Sequence, residues 1–282
     1  MSRRRIGASL GLVPFFAFVT IFLFIPTVII AVNAVTVSGK FTTDPLGVIF
    51  TSTELKVTLR TVWLAFITAM IGGVVGALVA YAVSTASPNG VLRRVVNSAS
   101  GVLAQFGGVA LAFAFLATVG LQGVVTIYLQ KHSGINLAGS GWLYGIKGLI
   151  LVYSYFQIPL MVIVFIPALE GIRPQWREAA ENLGATTWQF WRHIGFPLLF
   201  PAFLGSVLLL FANGMSAYAT AKALVSQGAP ITPLQISNAI TSETVLGHQN
   251  SAFALALEMV VIVAVTMVGY ALLQRRASRW LR

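Results

Sequence analysis

The sequence has no cysteine, three histidines, and seven acidic residues against 18 basic ones. Without cysteine there is neither a disulfide nor a thiolate metal site, although that alone does not settle the compartment. His132, His193 and His248 stand far apart in loops or loop helices, and no H-E-x-x-H occurs, so a metal centre or a histidine-based catalytic site has no support. A G-x-x-x-x-G-K-[ST] run is missing too. Gly39-Lys40 is the sole Gly-Lys pair, lacks the upstream glycine and is followed by Phe41, so the chain is not its own P-loop ATPase. Gly139-Ser140-Gly141 has the form of a nucleophile turn, but no histidine lies inside an apolar run to serve as its base. The chain is therefore read as a non-enzyme that carries no cofactor or metal of its own.

Charge is scarce as well. Only 9% of residues are charged and 57% are hydrophobic, against roughly 25% charged in soluble domains, so most of this chain belongs out of water. Apolar runs at about 6–35, 57–83, 97–118, 143–169, 200–225 and 251–273 each reach the roughly 20 residues that a bilayer crossing requires. The expected fold is all-α: a polytopic membrane protein, one domain over 1–282, with six transmembrane helices. Arg3, Arg4 and Arg5 precede the first run, Arg93 and Arg94 lie between the second and third, and Arg173, Arg177 and Arg192 lie between the fourth and fifth. Arg275, Arg276, Arg279 and Arg282 follow the last, leaving Arg60 elsewhere. Six crossings put all these loop arginines on one face, which the positive-inside rule makes cytoplasmic, along with both termini. The charged start and the small residues from Ala31 to Ala34 have the form of a secretory signal, but the apolar run before them exceeds a signal core about twofold. An uncleaved first span is expected. The formal charge of +11 is dispersed over loop ends, which fits anionic lipid headgroups and not nucleic acid.

Within the spans, Gly72, Gly76, Ala80 and Ser84 recur every four residues and make one small-residue stripe for close helix packing; Gly107 and Gly108 have the same reading. Asn213-Gly214 sits mid-way along the fifth span, followed by Ser216, Tyr218, Thr220 and Lys222. Such groups either loosen the helix and face a solute path or hydrogen-bond to a neighbouring helix, and the two readings are equal. Glu258 lies inside the sixth span, and Lys222 is its candidate partner, either as a structural ion pair or as part of the path lining. Pro159 and Pro167 are expected to bend the fourth span. Tyr153 and Gln157, four apart on the same span, share a face toward a solute or a neighbouring helix. The outer loops, 131–144 and 227–250, are rich in Gly, Ser and Pro.

Between the fourth and fifth runs lies a polar, arginine-bearing insert at about 171–197. Pro174 suits a first helical turn and Gly184 the left-handed position that closes a helix, so a short helix is expected over about 175–183. Thr186 followed by Gln189 fits a capping box, and a second helix should begin there and stop before Pro197. Glu178 and Glu181 are three apart, while Ala179, Ala180 and Leu183 make a small apolar face that another protein can approach closely. An amphipathic loop helix on the lipid surface would share that face, but not the full spacing described next.

Glu178-Ala179-Ala180, Gly184 after a gap of three, and Ile194 and Pro197 at the far end together resemble the EAA loop of permease subunits in ATP-driven, binding-protein-dependent (ABC) importers. Phe196 stands where that loop more often has Leu. The resemblance covers nearly the whole chain, but only the loop is specific. It implies the type I ABC importer permease architecture in a bacterial inner membrane. Two permeases, identical or homologous, would form the path; two ATPase subunits would carry ATP and Mg beneath them; and an extracytoplasmic binding protein would deliver solute to the outer face. Glu178, Ala179, Ala180, Leu183 and Gly184 would then lie in the ATPase groove. The tract from Tyr155 to Ala185, with that from Phe211 to Leu224, is most similar to the branch that handles polyamines, aminoethylphosphonate and related small charged solutes, with sugar and iron permeases as alternatives. A secondary transporter or channel would need no motor, and an intramembrane enzyme would need a buried nucleophile and base that the sequence does not offer.

Overall fold

The protein's structure, a computed structural model, describes residues 12–37, 39–87, 90–225, 229–241 and 248–278, the side chains of 248, 249 and 273–278 excepted. Arg3, Arg4, Arg5, Arg279, Arg282 and the stretches 227–228 and 242–247 of the expected outer loop lie outside the described residues. In chain order come α1 (Leu12–Ala34), a short hairpin of β1 (Thr36–Val37) and β2 (Lys40–Phe41), α2 (Ser52–Thr85), α3 (Val91–Gln105), α4 (Gly108–Val119) and α5 (Val124–Ser133). Then follow α6 (Ile146–Glu170), α7 (Pro174–Asn182), α8 (Thr187–Ser216), α9 (Tyr218–Leu224), α10 (Thr232–Thr241) and α11 (His248–Ser278). Among the described residues, six helical stretches are long and apolar enough to cross a membrane, the number expected from the sequence.

The chain divides into two compact units. One comprises Met1–Val57 and Gln235–Ile262. Here α1 leaves Phe15, Phe16, Phe18 and Phe22 exposed, as an all-round apolar helix does when lipid replaces water as its solvent. The hairpin pairs Thr36 with Phe41 and Val37 with Lys40.

The other unit, Thr58–Leu234 with Val263–Arg282, is built around α6. Leu149, Val152, Tyr153, Gln157, Met161 and Val162 on that helix are each 1% exposed or less. The small-residue stripe explains how α2 comes so near. A Cβ on Gly72 would lie 2.7 Å from Gln157 Cβ, and one on Gly76 would lie 2.5 Å from Met161 Cβ and 2.7 Å from the Ile158 carbonyl oxygen. Gln157 donates to Thr68 Oγ1 of α2 at 3.1 Å and Tyr153 donates to the Ala217 carbonyl, so these two groups of α6 engage a neighbouring helix and the junction of α8 with α9. Pro159 and Pro167 lie inside α6, which runs on through them. The expected outer loop 227–250 is not wholly a loop: Ala229, Ile231 and Leu234 join the hydrophobic core, and Thr61 Oγ1 accepts from the Thr232 amide at 2.9 Å.

Two expected spans are corrected. The third, 97–118, is not one helix, because α3 ends at Gln105 and α4 begins at Gly108. Gly107 has open space where a Cβ would stand, and Gly108 has φ +69°, so this pair breaks the helix and does not serve close packing. By hydropathy the third membrane-length stretch is Gly108–Ser133, itself interrupted between α4 and α5. The fifth, 200–225, starts earlier and breaks at Ala217, between α8 and α9. Asn213 and Gly214 remain helical. Gly214 is buried, and a Cβ there would lie 2.9 Å from Gln157 Nε2, so it serves helix packing and does not loosen its own helix.

Candidate functional site

The insert between α6 and α8 folds as a helix-turn-helix whose joints are each closed by named residues. Pro174 opens α7, where its missing N–H costs nothing. At the other end Gly184 takes φ +78°. Its amide donates to the Glu181 carbonyl at 2.9 Å and the Ala185 amide to the Ala180 carbonyl at 2.9 Å, the paired bonds of a Schellman motif. Thr186 then caps α8. Its Oγ1 accepts from the Gln189 amide at 3.3 Å, and Gln189 Oε1 accepts from the Thr186 amide at 2.7 Å, which completes the capping box expected from the sequence.

The second helix does not stop before Pro197, as the sequence was read to imply. It passes through a wide π turn at Trp191–Gly195 and continues as the fifth crossing to Ser216. The wide turn lies immediately before Pro197, where the chain must accommodate a residue without a donor. Gly195 allows the turn to close on Trp191, because a Cβ there would lie 2.5 Å from the indole. Trp191 in turn meets Tyr81 of α2 edge to face, with ring centroids 5.3 Å apart. The insert is thus continuous with one membrane helix and braced on another.

On the exposed side of α7, Arg177 Nε lies 2.9 Å from Glu181 Oε1, while Glu178 and Ala179 face outward. Leu183 is 88% exposed and Trp188 71%. Ala180 is the exception among the five expected loop residues, being buried beneath the turn. An open, largely apolar cavity of about 520 Å³ lies between the two helices and is walled by Trp176, Ala179, Leu183, Phe190, His193 and Ile194. An exposed leucine and tryptophan beside such a cavity form a surface shaped to receive apolar side chains.

A second cavity, of about 380 Å³, forms where the two broken helices meet. Gly107 and Gly108 from the α3–α4 break, Asn213, Ser216 and Tyr218 from the α8–α9 break, and Phe156 of α6 line it. Ser216 Oγ donates to the Asn213 carbonyl at 3.1 Å, and the Tyr153 hydroxyl donates to the carbonyl of Ala217, which the break releases from the helix ladder. The structure therefore groups Asn213, Ser216 and Tyr218. Lys222 is exposed on α9 outside the lining, and Glu258 is half-buried on α11 within the other unit, where it is already engaged in an interaction. Thr220, one of the polar groups noted in the fifth span, also lines it, whereas sequence reasoning missed Gly107, Gly108 and Phe156 as lining. The Gly-Gly pair was the available signal, because glycine doublets break helices as readily as they pack them.

A model of the family described as binding-protein-dependent transport system inner membrane component matches residues 72–279. Among curated proteins, 134 residues are 31% identical to a probable starch degradation products transport system permease of Thermoanaerobacterium thermosulfurigenes, covering 45% of this chain and 46% of that protein. A molybdenum transport system permease of Haemophilus influenzae is 29% identical over 118 residues, 42% of this chain and 49% of its own length. A ferric transport system permease of Actinobacillus pleuropneumoniae is 32% identical over 98 residues, 35% of this chain and 14% of its own length. Less than half of each of these relatives is thus spanned. Among solved structures, a chain of a bacterial ABC transporter involved in import of the acidic polysaccharide alginate superposes with a TM-score of 0.73, covering 98% of this chain and 96% of that one at 17% identity. A chain of the MetNI methionine ABC transporter, in an inward-facing conformation, gives 0.58 over 81% and 99% at 16% identity. At such identities the likeness speaks to the fold.

Proposed function

The chain belongs to the family of binding-protein-dependent transport system inner membrane components and has the all-α, six-span fold of type I ABC importer permeases, and from that premise we propose that it is the membrane-spanning subunit of an ATP-driven solute importer. The observation that carries this reading is the insert. Its turn is closed at both joints, it exposes Leu183 beside an open apolar cavity, and it runs without a stop into α8. A free loop has no use for such rigidity, whereas a handle gripped by a motor needs it.

On this reading Glu178, Ala179, Leu183 and Gly184 meet a groove of an ATPase subunit, with Ala180 supporting them from beneath. The ATPase pair binds ATP and Mg, and its closure on nucleotide favours one of two permease arrangements while hydrolysis restores the other. Because α8 extends about 45 Å from Thr187 to Ser216 at 1.5 Å per residue, displacement of the insert is delivered to the break at Ala217. Asn213, Ser216 and Tyr218 sit beside that break as the solute path. A second permease, identical or homologous, completes the path, and an extracytoplasmic binding protein loads it. The membrane is a bacterial inner membrane. The finer reading of the solute as a polyamine, an aminoethylphosphonate or a related small charged molecule rests on the resemblance of the tracts from Tyr155 to Ala185 and Phe211 to Leu224. The relatives are named for solutes as different as ferric ion and starch products.

The test is purification of the tagged full-length chain from its host without crosslinking. An ATPase and a soluble solute-binding protein are expected to co-purify, and Leu183→Glu is expected to release the ATPase while the permease stays folded. Flux through the purified chain alone, without ATP, would support the alternative of a secondary transporter or channel and remove this reading. The ligand carried by the binding protein identifies the solute.

A further inference from the structure

Helix α3 carries two exposed faces of opposite character, and the importer reading leaves both unexplained. Arg93 at its start is ion-paired to Glu170 at the end of α6, and Ala104 near its end lies with Phe156 of α6 in the wall of the second cavity. The two helices therefore run antiparallel, and α3 rises from the arginine-bearing membrane surface to the cavity. At 1.5 Å per residue Ala104 stands about 16 Å above Arg93, close to the middle of a hydrocarbon layer about 30 Å thick. Residues 97–105 thus lie at membrane depth.

With about 100° of turn per residue, Ser100 points into the protein, where it is buried. Val91, Val95 and Val102, flanked by Leu92 and Ala99, occupy one exposed arc. Arg94, Asn97, Ser98, Gly101 and Gln105 occupy the adjoining exposed arc. The valine arc is suited to lipid. The other is not, because carboxamides and hydroxyls facing hydrocarbon lose their hydrogen bonds to water and gain none. That polar arc starts at the cytoplasmic surface and ends at the cavity formed by the two helix breaks, where Asn213, Ser216 and Tyr218 continue the same uncharged hydrogen-bonding chemistry.

We propose that the Asn97, Ser98, Gly101 and Gln105 face of α3 is the wall of a water-filled exit through the cytoplasmic half of the membrane, leading from a solute-holding cavity at the α3–α4 and α8–α9 breaks. The proposal rests on the importer reading and deepens it. Passing solute is recognised there by hydrogen bonds from carboxamides and hydroxyls. The exit is one in which solute exchanges these contacts stepwise for water. The valine face abuts lipid.

The chain has no cysteine, so single-cysteine variants can be read without background. Asn97→Cys, Gly101→Cys, Gln105→Cys, Val95→Cys and Val102→Cys are compared in inside-out vesicles that contain the complete assembly, using a charged, membrane-impermeant methanethiosulfonate. Labelling after unfolding in detergent counts the protein present, so a poorly folding variant is recognised by its yield. The polar-face cysteines are expected to react about tenfold faster or more than the valine-face ones, because the reacting species is the thiolate and an apolar environment suppresses it. Equal rates on the two faces would overturn the proposal. Spontaneous disulfides between two copies at Asn97→Cys or Gly101→Cys, with the reagent excluded, would also overturn it and make this face a subunit seam. ATPase association and hydrolysis are measured in the same vesicles. If they persist while the labelling contrast is missing, the exit fails and the importer stands; if they are missing, the importer reading itself fails.

Discussion

At the scale of single residues, glycine decides most of what is specific to this chain, and it does so in two different ways. Gly184 is needed for its backbone: φ is +78° and nothing lies within 4 Å of a Cβ built there. A β-branched residue at that position pays about 1–2 kcal/mol or more for the left-handed conformation. Gly184→Val is therefore expected to uncouple ATP hydrolysis from uptake in reconstituted vesicles, whereas Gly184→Asn, which tolerates that region, retains most coupling; equal coupling in both would remove the claim. Gly76 is needed for its size, because a Cβ there would lie 2.5 Å from Met161 Cβ and 2.7 Å from the Ile158 carbonyl oxygen. Gly76→Ala is expected to destabilise by about 1–3 kcal/mol, the usual cost of overpacking, and to lower the melting temperature in detergent. Gly101→Ala, inside α3 with nothing within 4 Å, serves as the control and should not lower that temperature, since alanine is the better helix former by about 1 kcal/mol. The role of Gly72 and Gly76 was legible from their spacing. That of Gly107 and Gly108 was not, since a doublet reads alike for packing and for a break until φ is known.

At the scale of elements, local chemistry defined the joints of the insert better than the limits of the spans. Pro174, Gly184 and the Thr186–Gln189 box lie where the sequence places them, because caps are satisfied by residues a few positions away. Thr186→Ala is expected to cost about 1 kcal/mol of local stability, seen as faster hydrogen exchange at the Gln189 amide with the rest of α8 unchanged; unaltered exchange would mean that the box is dispensable. Pro197 misleads in the opposite direction. Taken alone it ends a helix, but here a π turn at Trp191–Gly195 packed on Tyr81 carries the chain past it. Likewise Asn213-Gly214 reads as a weak point, yet the break falls at Ala217, where the Tyr153 hydroxyl donates a hydrogen bond to the released carbonyl.

At the scale of the whole molecule, the described chain is two compact units, and the importer reading requires a further copy or homologue to complete a path. Native mass measurement of the purified assembly is expected to give two permease-type chains with two ATPase chains; one permease chain would require a different architecture. The number of membrane-length stretches among the described residues and the helix-turn-helix between the fourth and fifth were legible in the sequence alone, because span length and capping are local quantities set by the bilayer and the backbone. Which helices break, which groups those breaks bring together, and which arc of α3 is polar and uncovered were decided only by tertiary structure. They depend on residues far apart in the chain, such as Tyr153 with Ala217 and Gly76 with Met161, approaching within hydrogen-bond or van der Waals range, and no local pattern encodes such a distance.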